Sequence, residues 1–384
     1  MDANDVVVFS AAAIVVTGYL QYRKSKFSGY SVKKTRKTLR IGTRKSDLAM
    51  VQTHYVADLL RKAYPELDIQ ILKGIDAVGD KDQVNSLKKL AKKIPGLFSK
   101  DLEEGLVENV YDAAVHSLKD MPTTLPDKLV LAAITEREDP RDALIVRAEH
   151  KGKGGLRGLP KGAVIGTSSV RREAFLRRDF DHFKIKVIRG NVNTRLRKLD
   201  DGEYDAIVLA VAGLKRLGKE FENRIEEYLE PPHFLYGVGQ GCLGLQCRED
   251  DEDIIKILQS AEHWESSARC RCERALLKLM EAGCQVPLGV HSEIRNNNGR
   301  CILSLACTVL TEDGKTSIHA TMLGDPEEPE ELGRKLAKKI LLDGGKAILD
   351  GVNGSDFEQV NVRPLTYGSA ENPNLQARGS ILKK

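Results

Sequence analysis

The residues of this chain best able to do chemistry are arginines placed just after short apolar runs. Arg44 follows LRIG (39–42), Ser168, Ser169, Arg171 and Arg172 follow AVIG (163–166), and Arg189 and Arg195 bracket GNVN (190–193) after KVI (186–188). In each case a Ser-, Asp- or Asn-bearing turn leads into a segment of helical period. The free N–H groups and positive dipole end of such a helix N-terminus favour an anion. Repeated arginine at these points suits several carboxylates or phosphates held by bidentate pairs. The plainer alternative is solvated surface charge, because arginine is mostly exposed.

A carboxylate occupies the same kind of position. AAVHSLKDMP (113–122) runs as a strand and stops at Pro122, which puts Lys119 and Asp120 at the strand's mouth. An acid among arginines there is an acid/base or a cation stabiliser, or else half of an ordinary Lys–Asp surface pair. Cys284 follows RALLKLMEAG, a helical pattern closed by Gly283, so its thiol falls in a loop before QVPLG. A helix C-terminus does not activate a thiol, which leaves a reactive group or a small buried hydrophobe as the two readings. Gly239, Gly241 and Gly244 match GxGxxG without a framing strand and helix, so hinge glycines are the better use. Cys270 and Cys272 form a CxC lacking a second pair, and no metal is expected.

The elements that must position these groups alternate between strand-like and helical runs, the mark of α/β architecture. Leu39–Gly42 reads as a strand, followed by a helix on which Leu48, Val51, Tyr55 and Leu59 recur at helical spacing, capped by Ser46 or Asp47. AAVHSL (113–118), AVIG, KVIRG (186–190) and DAIVLAVAGL (205–214) repeat the pattern. REDPRD (137–142) and GVGQG (237–241) mark two crossings between lobes, hence a hinged cleft. The expected organisation is an extension (1–38), a first lobe (39–137 plus 237–260), a second lobe (138–236), a small α+β domain (261–360) with a helix over 265–281, and a tail (361–384).

A chain of 384 residues with 41% hydrophobic and 30% charged residues supports two or three such domains and excludes collagen-like, disordered and polytopic membrane classes. The first 40 residues hold eight Lys/Arg against Asp2 and Asp5, so the extension carries the whole net charge of +5 and the folded part is near neutral. That argues against a nucleic-acid partner and makes any anion site local. The apolar run of residues 6–20 is shorter than a bilayer span and follows two acids. A loose apolar arm is the reading adopted, with a membrane contact or organelle targeting as the alternative. Seven scattered cysteines make no disulfide framework, which suits a reducing cytoplasm.

The strings IGTRKSDLA, AVHSLKDMPT, EREDPRDA, GTSSVRRE, RGNVNTRLRKLDDGEYDAIVLAVAGLKRLG, VGQGCLG and EAGCQVPLG, in this order, resemble the porphobilinogen deaminase (hydroxymethylbilane synthase) family from about residue 39 to 351. The resemblance implies two lobes like those of periplasmic binding proteins plus a small C-terminal α+β domain. It also implies an enzyme of tetrapyrrole biosynthesis that joins four porphobilinogen molecules head to tail, releases ammonia, and frees hydroxymethylbilane with water. By resemblance, Cys284 carries a dipyrromethane cofactor through a thioether, and Asp120 is the catalytic carboxylate facing an azafulvenium cation and the pyrrole N–H groups. Lys119, Ser169, Arg171, Arg172 and Arg195 grip the cofactor, while Arg44, Ser46, Gln52, Arg189 and Gln240 face the incoming substrate or growing chain. A site enclosed by one chain needs no second copy, so a monomer is expected.

One stretch departs from the family pattern. The family has a lysine directly before the GLF or SLF of a loop over the site, whereas LAKKIPGLFSKDL has Pro95 and Gly96 before Leu97, with Lys92 or Lys93 as the alternative lysine, and Phe98 still matches. The rival readings are a two-lobed binding protein without catalysis and a relative slowed by this altered loop.

Overall fold

The computed structural model describes residues 37–73, 99–280, 287–297 and 299–351. Residues 6–20, the 92–98 stretch, Cys284 and the tail lie outside the described residues. β1 (Thr38–Thr43) buries Leu39 and Ile41, and Ser46 caps helix α1 (Asp47–Ala63) by accepting a hydrogen bond from the Ala49 N–H at 3.4 Å. β2 (Asp68–Lys73), helix α2 (Lys100–Val107), β3 (Ala113–Ser117) and β4 (Leu129–Ile134) follow. The chain then crosses to a second lobe of β5 (Asp142–Val146), β6 (Val164–Gly166), helix α3 (Val170–Asp179), β7 (Lys184–Lys186), helix α4 (Val192–Asp200), β8 (Ala206–Ala210), helix α5 (Val211–Leu217) and β9 (Glu227–Leu229). It returns as β10 (Leu243–Arg248) and helix α6 (Glu252–Gln259).

The two five-stranded sheets have the same plan. Their orders are β2-β1-β3-β10-β4 and β7-β6-β8-β5-β9, each with parallel strands and one antiparallel strand in fourth place. That fourth strand is in both sheets the first strand after a crossing, β5 on the way out and β10 on the way back. Parallel strands place the turns after β1, β3, β6 and β8 along one edge of each sheet, where open α/β sheets bind ligands. A third domain packs the meander β11 (Leu288–Asn297), β12 (Arg300–Leu310) and β13 (Ser317–Gly324) against helices α7 (Trp264–Leu279) and α8 (Pro329–Ile340), burying Leu276, Leu305, Leu336 and Ile340. Among the described residues no helix is long and apolar enough to cross a membrane.

Some local expectations shift. The stripe Leu48, Val51, Tyr55, Leu59 is not the buried face of α1, because Val51 and Tyr55 are each 38% exposed while Thr53, Val56, Ala57 and Leu60 are buried. The buried Thr53 escapes an apolar count because its hydroxyl donates to the Ala49 carbonyl at 2.9 Å and has the Thr43 hydroxyl as its second hydrogen-bond partner at 2.7 Å. Leu48 instead faces the second lobe, 3.5 Å from where a Cβ on Gly213 of α5 would stand. DAIVLAVAGL divides into β8 and α5, and the strand expected over KVIRG ends at Lys186.

The two crossings run side by side. The Glu138 N–H donates to the Gly241 carbonyl at 3.1 Å, and Arg137 Nε donates to the Gln240 carbonyl at 2.8 Å. Gly241 has φ +96°, and a Cβ there would lie 2.2 Å from the Glu138 carbonyl oxygen, so only glycine allows this approach. Arg137 is buried and paired with buried Glu273 of α7 at 2.6 Å, and Glu273 also accepts from the Gly239 N–H at 2.8 Å. The first residue of β5, Asp142, is 1% exposed and accepts from Arg171 Nη1 (2.7 Å), Arg172 Nε and Nη2 (3.0 and 2.8 Å) and Gln240 Nε2 (2.9 Å). Burial alone would raise its pKa, but Arg171, Arg172 and the Gln240 amide hold the carboxyl well below its ordinary value.

Replacing Asp142→Asn leaves two buried guanidiniums without a counter-charge, so urea denaturation at pH 7 should show a loss of about 3–5 kcal/mol. The carboxyl is depressed in the folded state, so its contribution is complete above the ordinary value of 3.8 and is lost as the pH falls below it. The gap between wild type and variant should therefore narrow in acid. An unchanged midpoint at pH 7 would show that the cluster does not hold the fold.

Candidate active site

A cleft of about 280 Å³ lies between the lobes. The first lobe lines it with Arg44, Ser46, Gln52, Lys119 and Asp120, the second with Arg172 and Arg195, and the returning crossing with Gln240. The structure thus brings together most of the residues singled out in the sequence. Ser169, Arg171 and Arg189 are not among the lining residues, and Cys284 lies outside the described ones.

Each lining residue is placed by a local device. Leu118–Asp120 form a single 3-10 turn after β3, and Leu118 and Met121 are buried on either side of it, so Lys119 and Asp120 between them face the cleft. The Leu118 N–H donates to the Cys242 carbonyl at 3.0 Å, which ties this turn to the return crossing. Ser46 is the cap of α1, and Ser169 caps α3 by accepting from the Arg172 N–H at 3.4 Å. Asn191 caps α4 and lines the cleft, accepting from the Thr194 N–H at 2.9 Å. Ser46 and Asn191 therefore present helix N-termini to the cleft from opposite lobes, a setting that favours anionic ligands. Arg195 donates through Nε to the Gly190 carbonyl at 2.8 Å.

The electrostatics separate the basic groups. Arg171 and Arg172 sit next to each other in sequence, yet Arg171 gives Nη1 to Asp142 and to the Leu235 carbonyl behind the wall, whereas Arg172 reaches the cleft. Arg172 spends three of its five N–H donors on Asp142 and the Val208 carbonyl, which leaves donors for a ligand. Burial, then Arg172, lowers the Lys119 ammonium to about 8, against the opposing pull of Asp120 and Asp142. Its Nζ donates to Gln240 Oε1 at 3.4 Å. Burial also lowers His116, two residues before the turn, to about 4, so this imidazole is neutral at physiological pH and adds no cation to the site. Asp120 is partly exposed and has no hydrogen bond or ion pair among the described residues, leaving both carboxylate oxygens for whatever enters the cleft.

Several contributors escaped sequence reasoning. Asp142 looked like a loop charge in REDPRD, and only its distant partners reveal its part. Arg216 of α5 lines the cleft and donates to the Gly241 carbonyl at 2.6 Å, and the tandem Lys215–Arg216 after a strand was its available signal. Ser117 donates to Gln52 Oε1 at 3.2 Å, and Asn193 bridges the mouth to Asp47 Oδ2 at 3.0 Å. A cleft with basic donors on both walls and one carboxylate suits an elongated ligand bearing several carboxylates together with N–H donors.

The porphobilinogen deaminase model for the dipyromethane cofactor binding domain matches residues 39–256, and the porphobilinogen deaminase C-terminal domain model matches 267–342. The donor set of the cleft fits such a group, since pyrrole N–H donors need an acceptor and carboxylate side chains need cations. The chain is 48% identical over 317 residues to a porphobilinogen deaminase of Gloeobacter violaceus, covering 82% of this chain and 94% of that one. It is 46% identical over 321 residues to a porphobilinogen deaminase of a Nostoc species, covering 84% and 96%. A Salmonella typhimurium periplasmic binding protein of high arginine specificity aligns over 59% of this chain and 91% of its own at 14% identity and a TM-score of 0.34, too loose a superposition to relate the two in detail. Family models that run through both lobes and the C-terminal domain, and relatives nearly half identical over more than four fifths of its length, settle its kinship: the chain belongs to the porphobilinogen deaminase family.

Proposed function

We propose that the chain condenses four porphobilinogen molecules head to tail on a dipyrromethane held by Cys284, releasing ammonia, and frees hydroxymethylbilane with water. The observation that carries this reading is Asp120, a carboxylate without a partner among the described residues, set in a cleft whose walls are basic on both lobes. A dipyrromethane bound there supplies the free pyrrole carbon to which successive units are joined.

Asp120 accepts hydrogen bonds from pyrrole N–H groups and places negative charge beside the carbon that becomes positive as ammonia leaves. The same carboxylate is within the turn that can take and return a proton at Oδ as each ring is joined. Lys119, Arg172 and Arg195 hold acetate and propionate carboxylates of the rings already in place, while Arg44, Ser46, Gln52 and Gln240 orient the incoming one. Ser169 and Arg171 act behind these residues, Ser169 by capping the helix that carries Arg172 and Arg171 by sharing Asp142 with it, while Arg189 faces the incoming substrate or growing chain. Because one chain supplies both walls, a monomer suffices. The free thiols of Cys242, Cys247, Cys270, Cys272, Cys301 and Cys307 suit a reducing cytoplasm.

Asp120→Asn keeps the size of the side chain and removes its charge. Turnover should fall by about 10²–10⁴ with an unaltered circular dichroism spectrum, and normal activity in this variant would remove the mechanism.

Lys119 is charged below about 8 and neutral above it, so its hold on a carboxylate weakens with rising pH. kcat at saturating porphobilinogen should therefore fall as the wild-type enzyme is taken upward through that value, because the rings already in place are held less firmly, and Lys119→Gln should be slower without the further fall. A wild-type kcat that stays flat through that range excludes this role.

The thioether is tested by mass. Purified protein should exceed its sequence mass by two linked pyrrole units, located on the Cys284 peptide, and Cys284→Ser should lack the excess. An unmodified Cys284 after incubation with porphobilinogen would overturn the attachment.

A further inference from the structure

The sulfurs of Cys242 and Cys270 lie 3.3 Å apart, and among the described residues no other two sulfurs are hydrogen-bonded. Cys242 ends the return crossing and lines the cleft, whereas Cys270 is on α7 of the C-terminal domain. Both are buried with Leu118, Met121 and Ile134. A disulfide requires an S–S distance of about 2.05 Å, so bond formation needs an approach of roughly 1.2 Å. One turn along α7 from Cys270, Glu273 already grips the Gly239 N–H, so this helix is docked on the crossing and side-chain rotation supplies most of the movement.

We propose that this thiol pair is a modification site, oxidised by hydrogen peroxide to a reversible intramolecular disulfide that slows turnover. The Cys242 thiolate attacks peroxide, the O–O bond breaks, one oxygen stays on sulfur as a sulfenic acid and the other leaves as water. Cys270 then gives up its proton and attacks Cys242 Sγ, the S–O bond breaks, and a second water departs. Two thiols and one peroxide yield one disulfide and two waters, with two electrons passing from sulfur to oxygen. A dithiol reverses the step by exchange.

The environment assigns the roles. Burial alone would raise the Cys242 thiol, but the Cys270 S–H and the Arg137 guanidinium hold it below its ordinary value. Cys270, which donates that S–H and is buried, is pushed well up. The consequence for turnover follows from what Cys242 holds. Its carbonyl accepts the Leu118 N–H, the anchor of the turn bearing Lys119 and Asp120, and Gln240 two residues earlier meets Lys119 and Asp142. A displacement of about 1 Å in a catalytic group costs on the order of 10²-fold in rate.

The test uses the cofactor-loaded enzyme treated with hydrogen peroxide, alkylated, and digested after lysine without reduction. Cys242 then falls in peptide 220–256 and Cys270 in 257–278. The expected result is a cross-link assigned by fragmentation to Cys242–Cys270, about two hydrogens lighter than the two peptides together. Turnover should fall at least about tenfold, return with dithiothreitol, and resist peroxide in Cys270→Ala, whose basal rate is unchanged. Recovery of both thiols as alkylated cysteines overturns the proposal. So does a cross-link through Cys247 or Cys272, a cross-link that leaves turnover unchanged, or equal peroxide sensitivity in Cys270→Ala. The cross-link stands on geometry alone, whereas its effect on turnover rests on the proposed function. A failure of that function shows as an inactive untreated enzyme, and the wild-type peptide map still decides the cross-link.

Discussion

The buried carboxylate of Asp142 is the interaction on which the site depends. Two guanidiniums and an amide converge on it, and charges taken out of water are tolerated only when they are paired and hydrogen-bonded. The pairing does more than neutralise. It fixes the plane of Arg172 so that its remaining donors face the cleft, and it draws Gln240, on the return crossing, against the first strand of the second lobe. Lys119, on the other lobe, feels the same cluster through space. One acid thus relates the wall of one lobe, the crossing and the mouth of the other.

Arg137 and Glu273 do the equivalent work toward the C-terminal domain. Both side chains are buried, the Arg137 guanidinium also lies 4.7 Å from the centre of the Tyr236 ring, and Glu273 accepts from the Gly239 N–H. The two crossings are therefore held between Asp142 on one side and Glu273 on the other, with Gly241 allowing them to touch. Breaking either pair leaves a buried charge alone, so any hinge motion must bend the chain around these clusters and leave them intact.

Much of this was legible in the sequence, and the remainder was hidden for physical reasons. Runs such as AAVHS and AIVLA are strands buried at four successive positions, and a short continuous apolar run with its bounding residues is a local property. Asp120 and Lys119 could be placed because a strand that stops at a Pro must open its end. The cap of α1 could be placed at Ser46 or Asp47 because capping is a three-residue interaction, and the structure gives it to Ser46. The buried face of α1 departs from the apolar stripe because Thr53, polar by type, is satisfied by Thr43, ten residues away, together with the Ala49 carbonyl. Arg171 and Arg172 could not be told apart, since adjacent helical positions point about 100° apart and only the packed structure says which one meets the cleft. Asp142 carried no local signal at all, because its partners are 29, 30 and 98 residues distant.

The distribution of the ligand-facing groups couples binding to closure. Arg44, Ser46, Gln52, Lys119 and Asp120 belong to one lobe, and Arg172 and Arg195 to the other. Across the mouth, one direct link between lobes is the exposed hydrogen bond from Asn193 to Asp47, which contributes about 1 kcal/mol or less, and nearby Leu48 of α1 faces Gly213 of α5. A ligand whose carboxylates reach both walls makes charge-assisted bonds that exist together only when the lobes are near. It therefore favours the closed arrangement by that difference. The lobes need not be locked by contacts of their own, and weak contacts suit the proposed growth of a chain in the cleft, in which either the chain moves through the cleft or the lobes move around it. The buried ion-pair clusters of Asp142 and Glu273 hold the two crossings, and helix caps and long basic side chains line the cleft beyond them, so the charges that must stay paired are kept apart from those left for a ligand.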